Sequence, residues 1–276
     1  MTDMELLVFD LDGTLLNAEQ QITEYTSETL RLLQANNIPY TLATGRTIHA
    51  AQHCIVGNDF PLLHAYNNGV SIWNPASSEY LHHNHLSHDE IDSVLKAFAQ
   101  QPITPFIYTV EPDGSHAVYH AAPETEVCRK YIDKFVDKIG IPRKPLQTLH
   151  PGAKITNINA LGLDHEVSAI CEQVKAESHL VVYTGGDMYK QGYHWLDIHH
   201  VDASKGGAVT MLKAELGFDK VICFGDSDND SSMFEIADEA YATANALDEV
   251  KDLATDIIGH HNEDGVAKFL RSYYSL

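Results

Sequence analysis

The chain has 276 residues, room for one large or two modest domains, and its 44% hydrophobic and 21% charged residues are those of an ordinary folded protein. Thirty-nine acidic against 18 basic side chains leave a net charge of −21, a field that repels phosphate backbones and anionic lipid, so no nucleic acid polymer and no membrane is expected as a partner. Apolar runs of a few residues fall short of the ~20 that span a bilayer, and residues 1–5, with Asp3 and Glu5, do not read as a secretory signal, so a cytoplasmic protein is expected.

In chain order, Leu6 to Phe9 reads as a buried strand, and Thr23 caps a helix that carries Leu30 and Leu33 and stops at Asn36-Asn37 before Pro39. Tyr40 to Ala43 is a second buried strand. Ser87 with Glu90 forms a capping box ahead of Ile91, Val94, Leu95 and Phe98, one face of a helix. Phe106 to Val110 and Ala117 to His120 read as a hairpin joined through Glu111-Pro112-Asp113-Gly114. Helical stretches follow over 124–139, stopped by Gly140, and over 164–176, then an apolar run 180–183 and a loop Thr184-Gly185-Gly186-Asp187. Ser204 caps a last clear helix over 208–216, stopped by Gly217, and Val221 to Phe224 is a third buried strand. The β-α alternation at both ends predicts a parallel sheet covered by helices.

Charge divides the chain in the same way. Residues 219–264 hold thirteen acidic side chains against Lys220 and Lys251, whereas residues 81–190 hold fourteen acids and ten bases. The expected organisation is an α/β core, 1–81 and 191–276, interrupted by an α+β insertion over 82–190 whose basic residues contact the organic part of a ligand. Four scattered cysteines with no Cys-x-x-Cys read as reduced, buried thiols. The histidine run His82-His83-Asn84-His85 falls at the junction, where exposed polar residues are expected, and no cysteine accompanies it; it reads as a hinge in preference to a transition-metal site.

Asp10-Leu11-Asp12-Gly13-Thr14 follows the first strand directly. Residues i and i+2 leave a strand on one side, so both carboxylates project into the crevice beyond the strand ends, where open α/β sheets bind ligands. Taken alone, two acids beside a glycine are also an ordinary solvated turn. Thr44 in Ala43-Thr44-Gly45-Arg46, Lys205 in Ser204-Lys205-Gly206-Gly207, and Gly225-Asp226-Ser227-Asp228-Asn229-Asp230 then follow in order. Each has an equally plain reading in isolation, as a strand-end cap, a surface lysine or a solvated acidic loop. The ordered set overturns those readings.

That set resembles the four motifs of the haloacid dehalogenase (HAD) superfamily of phosphatases. Ala-Thr-Gly-Arg, the turn Asn67-Asn68-Gly69, the insertion between the second and third motifs, and Asn245-Ala246 are similar to its Cof-type, class IIB subgroup. The resemblance implies a Rossmann-like core with a cap domain of the C2 type and a Mg²⁺-dependent hydrolysis of a small phosphoester. It makes Asp10 the nucleophile and Asp12 the general acid and base. Thr44 and Lys205 hold the transferring phosphoryl group, and Gly45, Arg46, Asn68 and Asn229 bind substrate. Asp10, Asp226, Asp230 and, through its main chain, Asp12 surround the metal. A carboxylate is ionised at neutral pH and needs no base to attack phosphorus, and Mg²⁺ prefers one or two carboxylates with substrate oxygens and water. Two rival readings share these residues. A phosphomutase or phosphotransferase would pass the phosphoryl group to an acceptor hydroxyl. A phospho-accepting signalling domain would lack both the insertion and an acid two residues after its aspartate.

Overall fold

A computed structural model describes residues 4–82, 84–123, 125–137, 140–188 and 192–276. They divide into two compact units, one of residues up to 83 and from 203 onward, the other of residues 84–202. The first unit opens with β1 (Glu5–Phe9), α1 (Glu24–Ala35), β2 (Tyr40–Leu42), α2 (Ile48–Ile55), β3 (His64–Tyr66), β4 (Ser71–Asn74) and β5 (Glu79–His82). The second holds α3 (Ile91–Phe98), β6 (Phe106–Val110), β7 (His116–His120), α4 (Glu126–Tyr131), β8 (Arg143–Pro145), β9 (Lys154–Leu163), α5 (Asp164–Val174), β10 (Leu180–Met188) and β11 (Tyr193–His200). The first unit closes with α6 (Lys205–Leu216), β12 (Lys220–Gly225), α7 (Ser231–Phe234), β13 (Glu239–Thr243), α8 (Asp248–Lys251), β14 (Asp256–Ile258) and α9 (Gly265–Tyr273).

The first unit is built on a five-stranded sheet in the order β14-β13-β12-β1-β2, parallel throughout. Its central strands are apolar on both faces because both faces are covered: Leu6 to Phe9 and Val221, Cys223 and Phe224 are each 0% exposed. Leu7 and Phe9 join one core with Leu30, Leu33 and Leu270, while Leu6 and Val8 join another with Val209, Leu212 and Met233. The helices begin where the sequence places their caps, since Thr23 accepts from the Thr26 N–H at 3.1 Å and Ser204 from the Gly207 N–H at 3.0 Å. From β1 the chain steps to β2 on one side, and the later strands run outward through β12 on the other. The strand order therefore reverses at β1 and β12, and a crevice opens beyond their carboxyl ends. Strands β3, β4 and β5 form a separate antiparallel sheet.

The second unit is a six-stranded mixed sheet, β10-β11-β9-β6-β7-β8, with α3 and α5 packed on one face through Ile91, Val94, Val167 and Ile170. The hairpin forms as its turn residues dictate, the Gly114 N–H donating to the Glu111 carbonyl at 2.9 Å. Three expectations are corrected here. The insertion ends at Asp202 and not at 190, because β11 pairs antiparallel with both β9 and β10 and so belongs to this sheet. Thr184-Gly185-Gly186 is not a loop but part of β10: a Cβ on Gly185 would lie 2.1 Å from Trp195 Nε1, so glycine there clears the indole of the neighbouring strand. The stretch beginning near 124 is a short α4 that widens into a single broader turn over Ile132–Val136, and its expected ends at 124 and 138–139 lie outside the described residues, as does the junction at His83 and Lys190. Among the described residues, no helix is long and apolar enough to cross a membrane.

Candidate active site

The crevice is assembled from the ends of β1, β2 and β12 and the start of α6. Asp10 is the first residue past β1, fixed by its N–H donating to the Phe224 carbonyl at 3.0 Å. The chain then turns sharply, Gly13 adopting φ +70°. That turn brings Gly13 against the next strand's aspartate, so a Cβ there would lie 2.2 Å from Asp226 Oδ2. Thr243 Oγ1 and Asn245 Nδ2 both donate to the Gly13 carbonyl, at 3.1 and 2.8 Å, and Asn245 Nδ2 also lies 3.4 Å from Asp226 Oδ2.

Lys205 stands at the first turn of α6 and is 1% exposed, an unusual position for an ammonium. Its Nζ donates to Asp10 Oδ1 and to Asp230 Oδ1, each at 2.6 Å. Asp230 is 0% exposed, and its other oxygen accepts the N–H groups of Asp226 and Ser227 at 2.9 Å. Both Asp230 oxygens are thus engaged with protein donors, and the side chain ties the β12 loop to Lys205. A Cβ on Gly225 would lie 2.6 Å from Asp230 Cγ, so the glycine before Asp226 lets the carboxylate fold beneath the strand end.

Burial, the largest influence, and then the nearby Asp230, Asp226 and Asp12 push the Asp10 pKa well up against the pull of Lys205. Burial followed by Asp230 raises Asp226 to about 7, with Lys205 again opposing. Burial alone would lower Lys205, but Asp10 and Asp230 outweigh it and hold the ammonium charged. These shifts share one cause: several carboxylates face a single buried ammonium, and the site has an excess of negative charge. Asp10, Asp226 and Asp230 each offer an oxygen within 4.8 Å of the others, a group that could hold a metal ion. Asp226 Oδ1 is buried and has no hydrogen-bond partner among the described residues. A hard, all-oxygen donor set with an unsatisfied carboxylate oxygen fits a divalent cation of the Mg²⁺ type.

The remaining residues singled out in the sequence sit around this centre. Thr44 is buried, anchored by its N–H to the Ala65 carbonyl at 2.9 Å, and its hydroxyl accepts the Arg46 N–H at 3.2 Å. Gly45 lies between Asn68 and Asn229, where a Cβ would come within 3.2 Å of Asn68 Oδ1. Asn229 Nδ2 donates to Asn68 Oδ1 at 2.9 Å, stitching the turn after β3 to the loop after β12. Arg46, expected to bind substrate, directs its guanidinium at the Asp12 carboxylate, Nε to Oδ2 and Nη2 to Oδ1, both at 2.6 Å. Asn245, singled out in the sequence without a role, supports the Asp10 loop, and so does Thr243, which residue patterns did not single out and which its place at the end of β13 reveals.

A family model described as haloacid dehalogenase-like hydrolase matches residues 7–270. The chain is 30% identical to YxeH of Bacillus subtilis (strain 168), over 95% of this chain and 96% of that protein. It is 25% identical, over 98% of both chains, to a protein of the same organism named 5-amino-6-(5-phospho-D-ribitylamino)uracil phosphatase YitU. Its fold is similar to the solved structure of the HAD subclass IIB sugar phosphatase BT4131, with a TM-score of 0.75, 18% identity, and coverage of 99% of this chain and 100% of that one.

Proposed function

The chain belongs to the haloacid dehalogenase-like hydrolases and is by that membership a phosphoric monoester hydrolase, and from this premise we propose that it dephosphorylates a small phosphorylated metabolite, with Mg²⁺, through an aspartyl-phosphate on Asp10. The observation that carries the reading is the buried Lys205 ammonium held 2.6 Å from Asp10 beside the unsatisfied oxygen of Asp226. Asp10, Asp226 and the main-chain carbonyl of Asp12 would hold the cation, which when bound offsets the repulsion between the carboxylates and a phosphate dianion.

The side chains supply the rest. Asp10 Oδ attacks phosphorus as the ester P–O bond breaks, and Asp12 gives its proton to the departing oxygen, so the alcohol leaves neutral. Asp12 then takes a proton from a water whose oxygen attacks the same phosphorus; the acyl phosphate bond breaks, Asp10 is restored as a carboxylate and inorganic phosphate is released. Lys205 spends two of its three N–H donors on Asp10 and Asp230, which leaves the third for a phosphoryl oxygen. Thr44 accepts from Arg46 through its oxygen and keeps its own proton for the same purpose. Asp230, with both oxygens engaged, holds Lys205 and the Asp226 loop in place.

Sugar phosphates, nucleotides and similar esters form the proposed substrate class, supported by the phosphorylated ribityl chain in the name of the relative YitU. The deciding experiment measures phosphate release from a panel of such esters with Mg²⁺ and with EDTA. Release from at least one ester that stops in EDTA and returns with Mg²⁺ is expected. Transfer of the phosphoryl group to an added sugar in place of water would make the protein a phosphotransferase, and no release from any ester would refute the reading.

A further inference from the structure

The bidentate grip of Arg46 on Asp12 is more than a surface ion pair. Asp12 is exposed, its side chain 51% accessible, and Arg46 is the partner that fixes its direction; the Arg46 side chain is itself only 16% accessible. The guanidinium is in turn held from behind. Its Nη1 donates to the Ala50 carbonyl at 3.4 Å and to Cys54 Sγ at 2.9 Å, both on α2, so the edge formed by Nε and Nη2 is the one presented to Asp12. Five donors in a planar fork give this geometry, and a lysine cannot reproduce it.

Resting on the phosphatase reading above, we propose that Arg46 is a positioning residue for Asp12: it aims the carboxyl that passes protons to the leaving oxygen and from the attacking water, and does not itself bind the phosphoryl group. The chemistry of the two roles fits one fork. As a carboxylate Asp12 accepts both N–H groups, the form that takes a proton from water. As a carboxylic acid it keeps one contact through the unprotonated oxygen while the other oxygen carries the proton outward. An exposed carboxylate without the fork would sample several rotamers, and proton transfer is intolerant of such misplacement.

The leaving group separates this role from substrate binding. A 4-nitrophenolate departs without a proton, whereas the alkoxide of a sugar phosphate needs one. Hydrolysis of the phosphoenzyme also uses Asp12 and is common to both esters, so the split is read in kcat/KM, which reports phosphoenzyme formation alone. Arg46→Ala is therefore expected to lower kcat/KM on a sugar phosphate by about 10²-fold or more, the scale of a lost general acid, and on 4-nitrophenyl phosphate by less than about tenfold. Asp12→Asn should show the same split, and the double variant should be no worse than Asp12→Asn alone, because both substitutions remove one function. Arg46→Lys, which keeps the charge but not the fork, should show the split too, and added guanidinium chloride, unlike equal NaCl, should restore part of the sugar phosphate rate to Arg46→Ala. A uniform loss of kcat/KM on both esters with raised KM would make Arg46 a substrate-binding residue and overturn the proposal, as would losses that multiply in the double variant. A wild-type protein inert toward both esters would overturn the phosphatase reading beneath it.

Discussion

Asp226 and Asp230 lie four residues apart in one acidic loop, and replacing each by asparagine should move stability in opposite directions. Asp230 has no exposure and three donors on its two oxygens: Lys205 on one, the N–H groups of Asp226 and Ser227 on the other. An asparagine keeps only one oxygen, so its amide nitrogen must face either two N–H donors or an ammonium. Breaking a buried charged pair in this way costs about 3–5 kcal/mol. Asp226 is the reverse case: its carboxyl, raised from 3.8 to about 7 by burial and by Asp230, is ionised at pH 8 only against the folded state. At about 1.4 kcal/mol for each tenfold change in proton affinity, neutralising it should stabilise the metal-free protein by up to ~4 kcal/mol. Urea unfolding at pH 8 in EDTA, followed by Mg²⁺ titration calorimetry, reads both quantities. The expected result is an Asp230→Asn protein that is much less stable yet binds Mg²⁺ within about tenfold of wild type, and an Asp226→Asn protein at least as stable that binds no Mg²⁺. An Asp230→Asn protein of unchanged stability without Mg²⁺ affinity would show Asp230 to be a direct ligand, and the division of labour drawn from its hydrogen bonds would be wrong.

The contrast between these two residues shows where reading the sequence stopped. Each motif is a few residues at the end of a strand or the start of a helix, and element, turn and functional side chain are all local, so the resemblance of the ordered motifs to the HAD set implied one crevice for Asp10, Thr44, Lys205 and Asp226. What each side chain touches is not local. Arg46 and Asp12 are separated by 34 residues, and Asn68 and Asn229 by 161, so sequence showed Arg46 as an available cation and the structure shows it committed to Asp12. The sheet of the second unit failed to declare itself for a similar reason. Residues from 191 onward were expected in the core, but the sheet that Tyr193–His200 joins is decided by pairing with β9, some thirty residues upstream. The glycine pair in β10 signals a turn until Trp195 on the neighbouring strand supplies the steric reason for it.

Three further outcomes follow from the same contacts. Asp10→Asn should abolish both turnover and the trapped phosphoenzyme, detected by mass spectrometry of the acid-quenched protein; a retained phosphoenzyme would place the nucleophile elsewhere. Gly13→Ala puts a Cβ 2.2 Å from Asp226 Oδ2 at a φ of +70°, and should lower stability by at least ~1 kcal/mol and raise the Mg²⁺ concentration for half-activity; unchanged values would mean that the turn can relax. The last concerns pH. Asp226 and Asp10 have folded-state pKa values above their ordinary ones, so between about pH 4 and pH 7 the native state binds more protons than the unfolded chain, and the stability of the metal-free protein should fall as pH rises through that window. His49 and His64, lowered by burial, act in the opposite sense up to about pH 6.5, because there the unfolded chain binds the extra protons. The raw curve therefore mixes two slopes. Carboxylates lowered by hydrogen bonds, such as Glu111 and Asp238, contribute only at more acidic pH, where they lose their stabilisation. Subtracting the Asp226→Asn curve from the wild-type curve cancels the histidines and leaves Asp226 with its coupling to Asp10, and the difference should grow in favour of the variant from pH 5 to pH 8 in EDTA. Saturating Mg²⁺ should reverse it, since the cation binds wild type more tightly as Asp226 ionises and stabilises it by mass action. A flat difference in EDTA would mean that Asp226 is not held against its ionisation, and the electrostatic argument for the cation would lose its basis.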